Sequence, residues 1–380
     1  MSQCPCPAYV LEEALLRRNL KKIADVRDKS GVEILLAFKA FAMWKAFPLF
    51  KEYGFSGTTS SSLNEARLAF EEMGNLTHSY LPAVTPEELP KILPYSKQIT
   101  FNSLSQFELY YPQVKAYNKH SISCGLRINP EHSEVKTDLY NPARPGSRLG
   151  IPAAKLKEGL PPGVEGLHFH SLCESDSYAL ERTLRVVEDK FGHLFGQIRW
   201  LNMGGGHLIT RKDYNTAHLI DVLRGFKLKY PHLHLILEPG SAFVWQTGFL
   251  YARVIDIVNN HGVNTAMLNV SFACHMPDCL EMPYKPLIRG ASMPDQDLYP
   301  YKYDLGGNSC LAGDNLGFWT FPRPLKPGDS LIFEDMIHYT VVKTHTFNGV
   351  AHPAICFLRK DNKLEIWREY TYSDYKHRMD

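Results

Sequence analysis

Between residues 32 and 238 the chain alternates β-prone and helix-prone stretches, and that rhythm restricts its fold more than any other feature. Apolar, β-favouring runs fall at 32–38, 54–59, 78–82, 98–102, 123–128, 166–170, 198–203 and 234–238, and helix-compatible apolar spacing fills 43–53, 63–74, 103–118, 175–193 and 212–229. Ser103 and Ser175 stand where helix N-caps are expected, and Gly54 and Gly74 where helices stop. Eight such alternations predict a (β/α)8 barrel, whose chemistry sits at the C-terminal ends of its strands. Beyond Gly240 the rhythm changes. The runs at 243–258, 264–272, 301–305, 330–334, 337–345, 353–359 and 363–368 are β-prone with no helical spacers, which predicts a mainly antiparallel β domain. Ala8-Tyr9-Val10 is a further short strand able to join that sheet. The expected division is a barrel over 11–242, inserted in a β-sandwich or barrel-like domain built from 1–10 and 243–380.

With 44% hydrophobic residues the chain has ample material for a core, and Lys+Arg 42 against Asp+Glu 40 leaves a net charge of only +2. No run of like charges attracts nucleic acid or an anionic membrane, so a small-molecule substrate is expected instead. The N-terminal Met-Ser-Gln-Cys-Pro-Cys-Pro lacks an apolar targeting segment, and Lys39 and Lys45 interrupt the most hydrophobic stretch, so a cytoplasmic protein is expected. Eight cysteines are scattered without the paired spacing of a zinc site or the density of a disulfide scaffold. Cys4-x-Cys6 and Cys274-His275-x3-Cys279 fall short of four spaced ligands, and no metal is expected.

Lys39 sits inside the first apolar run, Val32–Phe41, near its C-terminal end, and a lysine buried there needs a reason. Such a group finds a charged partner, loses its proton, snorkels to water or is consumed in a covalent bond such as an imine. The imine reading makes Lys39 a carrier of pyridoxal phosphate. Strands seven and eight end in Asn202-Met203-Gly204-Gly205-Gly206 and Leu237-Glu238-Pro239-Gly240, and the loops after those strands commonly hold phosphate in a barrel. Three consecutive glycines suit either backbone contacts to an anion or simply a tight turn. Glu238 closes an apolar strand, as a surface turn residue or as partner to a cation such as a protonated pyridine nitrogen. Period-two alternation puts His168 and His170 on one face, where one can stack on a flat ring.

These residues recur in order with Gly306-Gly307-Asn308-Ser309-Cys310-Leu311-Ala312-Gly313-Asp314 and His338-Tyr339-Thr340, and together they resemble the fold-type III pyridoxal-phosphate decarboxylases, from about residue 8 to Gly349. Leu-Ala-Gly-Asp after Cys310 and the segment His275–Tyr284 are most similar to the carboxynorspermidine branch. The resemblance implies an internal imine at Lys39, ring stacking by His170, a pyridine-nitrogen partner in Glu238 and phosphate contacts from Gly204, Gly205, Gly206 and Tyr339. It implies Arg127 beside the cofactor, Asp314 and Glu238 at the substrate, and Cys310 as a proton donor delivered across a homodimer interface. Ser241, Leu311 and Glu281 depart from the ornithine and diaminopimelate branches, and Asp278 with Glu281 suits distal ammonium groups on a substrate.

The function expected is decarboxylation of carboxynorspermidine or carboxyspermidine in polyamine biosynthesis. Decarboxylation of diaminopimelate or another basic L-amino acid on the same fold is the alternative enzyme, with an alanine-racemase-like activity behind it. A non-catalytic binding or regulatory module is the alternative of another class, and the pairing of Lys39 with Cys310 argues against it.

Overall fold

The computed structural model describes residues 3–282, 284–296 and 298–380, so that Pro283, within the His275–Tyr284 motif, lies outside the described residues, as do Met1, Ser2 and Asp297. The chain divides into two units, Asn19–Phe243 and Met1–Arg18 with Val244–Asp380. The first division falls inside the helix Glu13–Ser30 rather than at residues 10/11. The reason is local, since the Glu13 carboxylate accepts from the Lys360 backbone N–H at 3.2 Å and ties the helix's first turn to the β unit.

In the first unit, parallel pairing runs from Leu36–Ala37 through Thr58–Ser60, Thr77–Leu81, Ser96–Phe101, Ser123–Asn129, Val164–His168, Trp200–Asn202 and His234–Leu237 to Glu33–Ile34. The two ends of that path are halves of one run, separated by Leu35. The chain itself therefore closes the sheet as a (β/α)8 barrel. Leu35 N–H donates to the Leu237 carbonyl at 2.8 Å, and Leu36 N–H turns the other way, to the Gly57 carbonyl at 3.1 Å. The strands are buried on both faces, as parallel strands under a helical coat must be. Trp200 fills the lower interior only because two neighbouring strands carry no side chain opposite it. A Cβ on Gly166 or Gly125 would lie 2.0 or 2.2 Å from its ring.

Helix boundaries follow side-chain capping. Ser103 accepts from Gln106 N–H as anticipated, and Gly74 ends the Leu63–Met73 helical stretch in the left-handed conformation (φ +77°). The cap expected at Ser175 belongs instead to Asp176, whose carboxylate accepts from Ala179 N–H at 2.8 Å. Ser175 is drawn away because its N–H donates to the Gly206 carbonyl.

The second unit is built on a mixed, mainly antiparallel sheet ordered Asn315–Phe321, Tyr301–Gly306, Val263–Leu268, Gly248–Asn260, Ala8–Glu12, Ala354–Leu358, Leu364–Arg368, with Ser330–Glu334 also paired to Gly248–Asn260. Ala8–Glu12 joins this sheet between an antiparallel and a parallel neighbour. Two segments depart from expectation. Residues 337–345 form no strand but the short helix Tyr339–Val342, because the buried Met336 and Ile337 anchor the chain and one turn follows. Asn315–Phe321 is a strand that the sequence concealed, since Gly317, at φ +84° with its N–H donated to Asn315 Oδ1, looks like a turn residue.

Candidate active site

The C-terminal mouth of the barrel opens on a cavity of about 580 Å³ whose lining includes Lys39, Tyr80, Arg127, His168, His170 and Glu238. They come from the ends of five strands or from the turns just after them, His168 and His170 sharing one, so a cavity of this composition follows from barrel topology. Lys39 is not buried as a strand-end residue would be. It stands in the turn after Leu36–Ala37 and is exposed to the cavity.

Dense packing around the cavity nonetheless depresses the Lys39 ammonium below its ordinary value; Glu238 opposes that effect and Arg127 adds to it. His170 is held well below its ordinary value, by burial first and then by Lys39 and Arg127. Hydrogen-bond geometry agrees with both directions. Gly205 N–H donates to His170 Nδ1 at 2.8 Å, so a neutral His170 carries its proton on Nε2, which lies 3.1 Å from Lys39 Nζ. Lys39 completes that bond by offering a lone pair, as a neutral amine. A neutral amine is the nucleophilic form.

Glu238 is 9% exposed and lies at the centre of the polar interior. His168 Nε2 donates to its Oε1 at 3.1 Å and Asn202 Nδ2 to its Oε2 at 2.9 Å. Burial works against its ionisation, but attraction to His168, His78 and His170, which are charged only at the low pH where this carboxyl titrates, and the His168 hydrogen bond outweigh that and hold the carboxyl well below the usual carboxylate range. Arg127 donates to the His170 carbonyl at 3.1 Å and lies 4.8 Å above the Tyr80 ring, whose hydroxyl donates to Asn102 Oδ1 at 2.8 Å.

The triple glycine is required sterically. Gly204 (φ +72°) and Gly206 (φ +84°) are left-handed, and Cβ atoms at 204, 205 and 206 would lie 2.4, 2.4 and 2.1 Å from the Phe169, Glu238 and Leu172 carbonyl oxygens. Two of the turn's N–H groups are already engaged, that of Gly204 with Asn202 Oδ1 and that of Gly205 with His170 Nδ1.

The remaining candidates belong to the β unit. Cys310 is an exposed thiol on the loop after Tyr301–Gly306, with its N–H donated to Asn348 Oδ1 at 2.8 Å. Buried Asp314 shapes that loop, accepting from Ala273 N–H, Ser309 N–H and Ser309 Oγ. Tyr339 opens the short helix Tyr339–Val342. Asp278 and Glu281 lie on the short helix Pro277–Glu281, and both carboxylates accept from Lys343 Nζ, in the case of Asp278 at 2.5 Å. Lys343 escaped the sequence reading. So did His78, Tyr80 and Asn202, although the alternation that faces His168 inward applies equally to His78 and Tyr80 on Thr77–Leu81.

Burial lowers His78 and His207 to about 4 from an ordinary 6.5. The unfolded chain takes up these protons first as pH falls. Their contribution is therefore intact above pH 6.5 and is lost between 6.5 and about 4, at of the order of 3 kcal/mol for each histidine. Urea unfolding at fixed pH should show stability dropping over that window; equal stability at pH 7 and pH 4.5 would contradict it.

The residues that face the cavity fit a phosphorylated pyridine aldehyde, with an amine for the carbonyl, a flat imidazole, and a buried anion for a ring nitrogen. No helix among the described residues is long and apolar enough to cross a membrane.

Comparison with known proteins agrees with this composition. Residues 9–337 match the family described as pyridoxal-dependent decarboxylase, C-terminal sheet domain. A carboxyaminopropylagmatine decarboxylase from Synechocystis sp. is 50% identical over 379 residues, covering 100% of this chain and 96% of that protein. A carboxynorspermidine/carboxyspermidine decarboxylase from Campylobacter jejuni is 43% identical, covering 97% of each. The crystal structure of carboxynorspermidine decarboxylase complexed with norspermidine, also from Campylobacter jejuni, superposes with a TM-score of 0.88 at 41% identity, covering 98% of this chain and 99% of that one. Matched along nearly its whole length by such proteins, and carrying a lysine, two histidines, an arginine and a glutamate around one barrel cavity, the chain belongs to the pyridoxal-dependent decarboxylase family.

Proposed function

We propose that this enzyme decarboxylates carboxynorspermidine or carboxyspermidine, giving norspermidine or spermidine and carbon dioxide, with pyridoxal 5′-phosphate held in the barrel cavity. The observation that carries the reading is the convergence of Lys39, Arg127, His170 and Glu238 on that cavity. Near-full-length relatives named for these substrates support it.

When bound, the cofactor supplies an electron-accepting ring to the carbon that loses its carboxylate. Lys39 Nζ would bind the aldehyde carbon, and the His170 imidazole would orient the ring. Glu238 would keep a proton on the ring nitrogen. The Gly204–Gly206 segment and Tyr339 would hold the phosphate, with Arg127 beside them. Cys310 Sγ, supplied by a second copy of the chain, would return a proton to the product carbon, and Asp314 would serve it by fixing the Cys310 loop.

For the far end of the substrate we assign Asp278 and Glu281. Two carboxylates facing the one ammonium of Lys343 leave an acidic excess, which suits a distal cation. A charge-assisted hydrogen bond contributes about 1.5–3 kcal/mol, so Asp278→Asn and Glu281→Gln should each lower kcat/KM roughly ten- to a hundredfold at unchanged cofactor occupancy. Wild-type kcat/KM in both variants would remove the assignment.

The 50% identity to a carboxyaminopropylagmatine decarboxylase favours a second reading, in which the distal cation is a guanidinium. Paired carboxylates accept that planar group well. Parallel assays with carboxynorspermidine, carboxyspermidine, carboxyaminopropylagmatine and meso-diaminopimelate decide among these. Ser241, Leu311 and Glu281 weigh against diaminopimelate.

A further inference from the structure

Behind the residues that face the cavity lies a second layer whose hydrogen bonds determine where its protons reside. Asn202 Oδ1 accepts from Gly204 N–H at 2.9 Å, which fixes the amide orientation. Its Nδ2 then donates to Glu238 Oε2 at 2.9 Å and to His78 Nδ1 at 3.2 Å. With Nδ1 accepting, a neutral His78 carries its proton on Nε2, which donates to Thr100 Oγ1 at 2.7 Å. His168 repeats the pattern. Its Nε2 donates to Glu238 Oε1, while its buried Nδ1 has no hydrogen-bond partner among the described residues. An imidazolium there would bury an unpaired N–H bearing positive charge, which costs far more than an unpaired lone pair.

We infer that His168 and Asn202 are positioning residues that hold Glu238 as an ionised carboxylate through uncharged donors, leaving its negative charge uncompensated for the protonated ring nitrogen of the cofactor. The inference rests on the cofactor reading above and extends it. A charged His168 would satisfy Glu238 internally and weaken its pull on that nitrogen. A neutral donor stabilises the anion without cancelling it. Burial holds both His168 and His78 below their ordinary values, in agreement with the bonding pattern.

The other titratable or charged groups facing Glu238 are His170, Lys39, Arg127, Tyr80 and His207. His170 and Lys39 are already assigned as neutral from their shared hydrogen bond. Arg127 is tied to the His170 carbonyl, and burial raises Tyr80 and lowers His207, so neither of these last two carries charge near neutrality.

The test uses full-length protein freed of cofactor, with pyridoxine 5′-phosphate as a probe that cannot bond covalently to Lys39. Its affinity is measured by fluorescence titration from pH 5.5 to 8.5. Wild type and His168→Gln, which keeps an N–H donor, should bind with affinity nearly independent of the Glu238 titration. His168→Leu should bind about ten- to a hundredfold more weakly, with the loss growing as pH falls. A His168→Leu protein that matches wild type across the range would overturn the inference. Nitrogen-15 spectra of histidine-labelled wild type, with His168 identified by its loss in His168→Gln, give an answer independent of the leucine variant's folding. A proton on Nε2 alone between pH 6 and 8 supports the inference, and an imidazolium overturns it. Should wild type fail to bind the probe at all, the cofactor reading falls, while the spectra still decide the state of His168.

Discussion

Lys39→Ala is expected to lower turnover by more than about a thousandfold and to leave no reducible covalent link between protein and cofactor. The prediction follows from the position of Nζ in the cavity and from its partner. With Gly205 N–H donated to His170 Nδ1, the remaining ring proton points at Lys39 and stabilises the amine that has lost its own. Among the described residues no other lysine lines that cavity. Borohydride reduction of wild-type protein followed by peptide mapping is the check, and a label on any lysine other than Lys39 would end the assignment. Lys39 is exposed to the cavity, outside the barrel strands, so its truncation should leave urea stability close to that of wild type.

Cys310→Ala is expected to reduce kcat by roughly a hundredfold or more while cofactor occupancy stays at the wild-type level, because the thiol's role is confined to proton delivery. The loop that carries it is fixed independently of the sulfur, by Asp314 on Ser309 and by Asn348 on the Cys310 N–H, so the substitution removes the proton donor and leaves the loop in place. If that thiol serves the active site of a second copy, Lys39→Ala and Cys310→Ala proteins complement each other. Random exchange of subunits makes half the dimers mixed, each with one intact site of two, so about a quarter of wild-type activity should return. Exchange without recovery would place Cys310 and Lys39 of one chain in the same site.

The barrel was legible in the sequence because parallel strands buried on both faces leave continuous apolar runs, and helices between them leave capping residues such as Ser103. The interruption of the first strand at Leu35 was not legible, since a change of hydrogen-bonding partner alters no side chain. In the β unit the run Thr340-Val341-Val342 has strand propensity but is overruled by its buried flanks, and Gly317 disguised a strand as a turn. The same asymmetry holds for the candidate site. Lys39, His170, Glu238 and the triple glycine stand out because each is anomalous at the end of an apolar run. His78 and Asn202 do not, because a buried polar residue is conspicuous only once its partner is known, and Asn202 lies far in sequence from His78. Lys343 was hidden for the same reason: its carboxylate partners are on another element.

The position of Ala8–Glu12 in the interior of the second sheet bears on how the chain matures during synthesis. This strand leaves the ribosome before any barrel strand, yet its sheet neighbours, beginning at Tyr251 and Ala354 opposite Ala8, emerge only after every barrel strand has been made. Until then an apolar segment with two open edges has nothing to pair with, and early docking on another nascent chain is its main hazard. The barrel, whose neighbouring strands mostly follow one another in sequence, has no such delay. Nascent-chain order thus differs from spatial order in this protein: a strand translated before the barrel reaches its native neighbours only after the barrel has been made, and the sheet around it cannot be completed until Ala354–Leu358 has emerged.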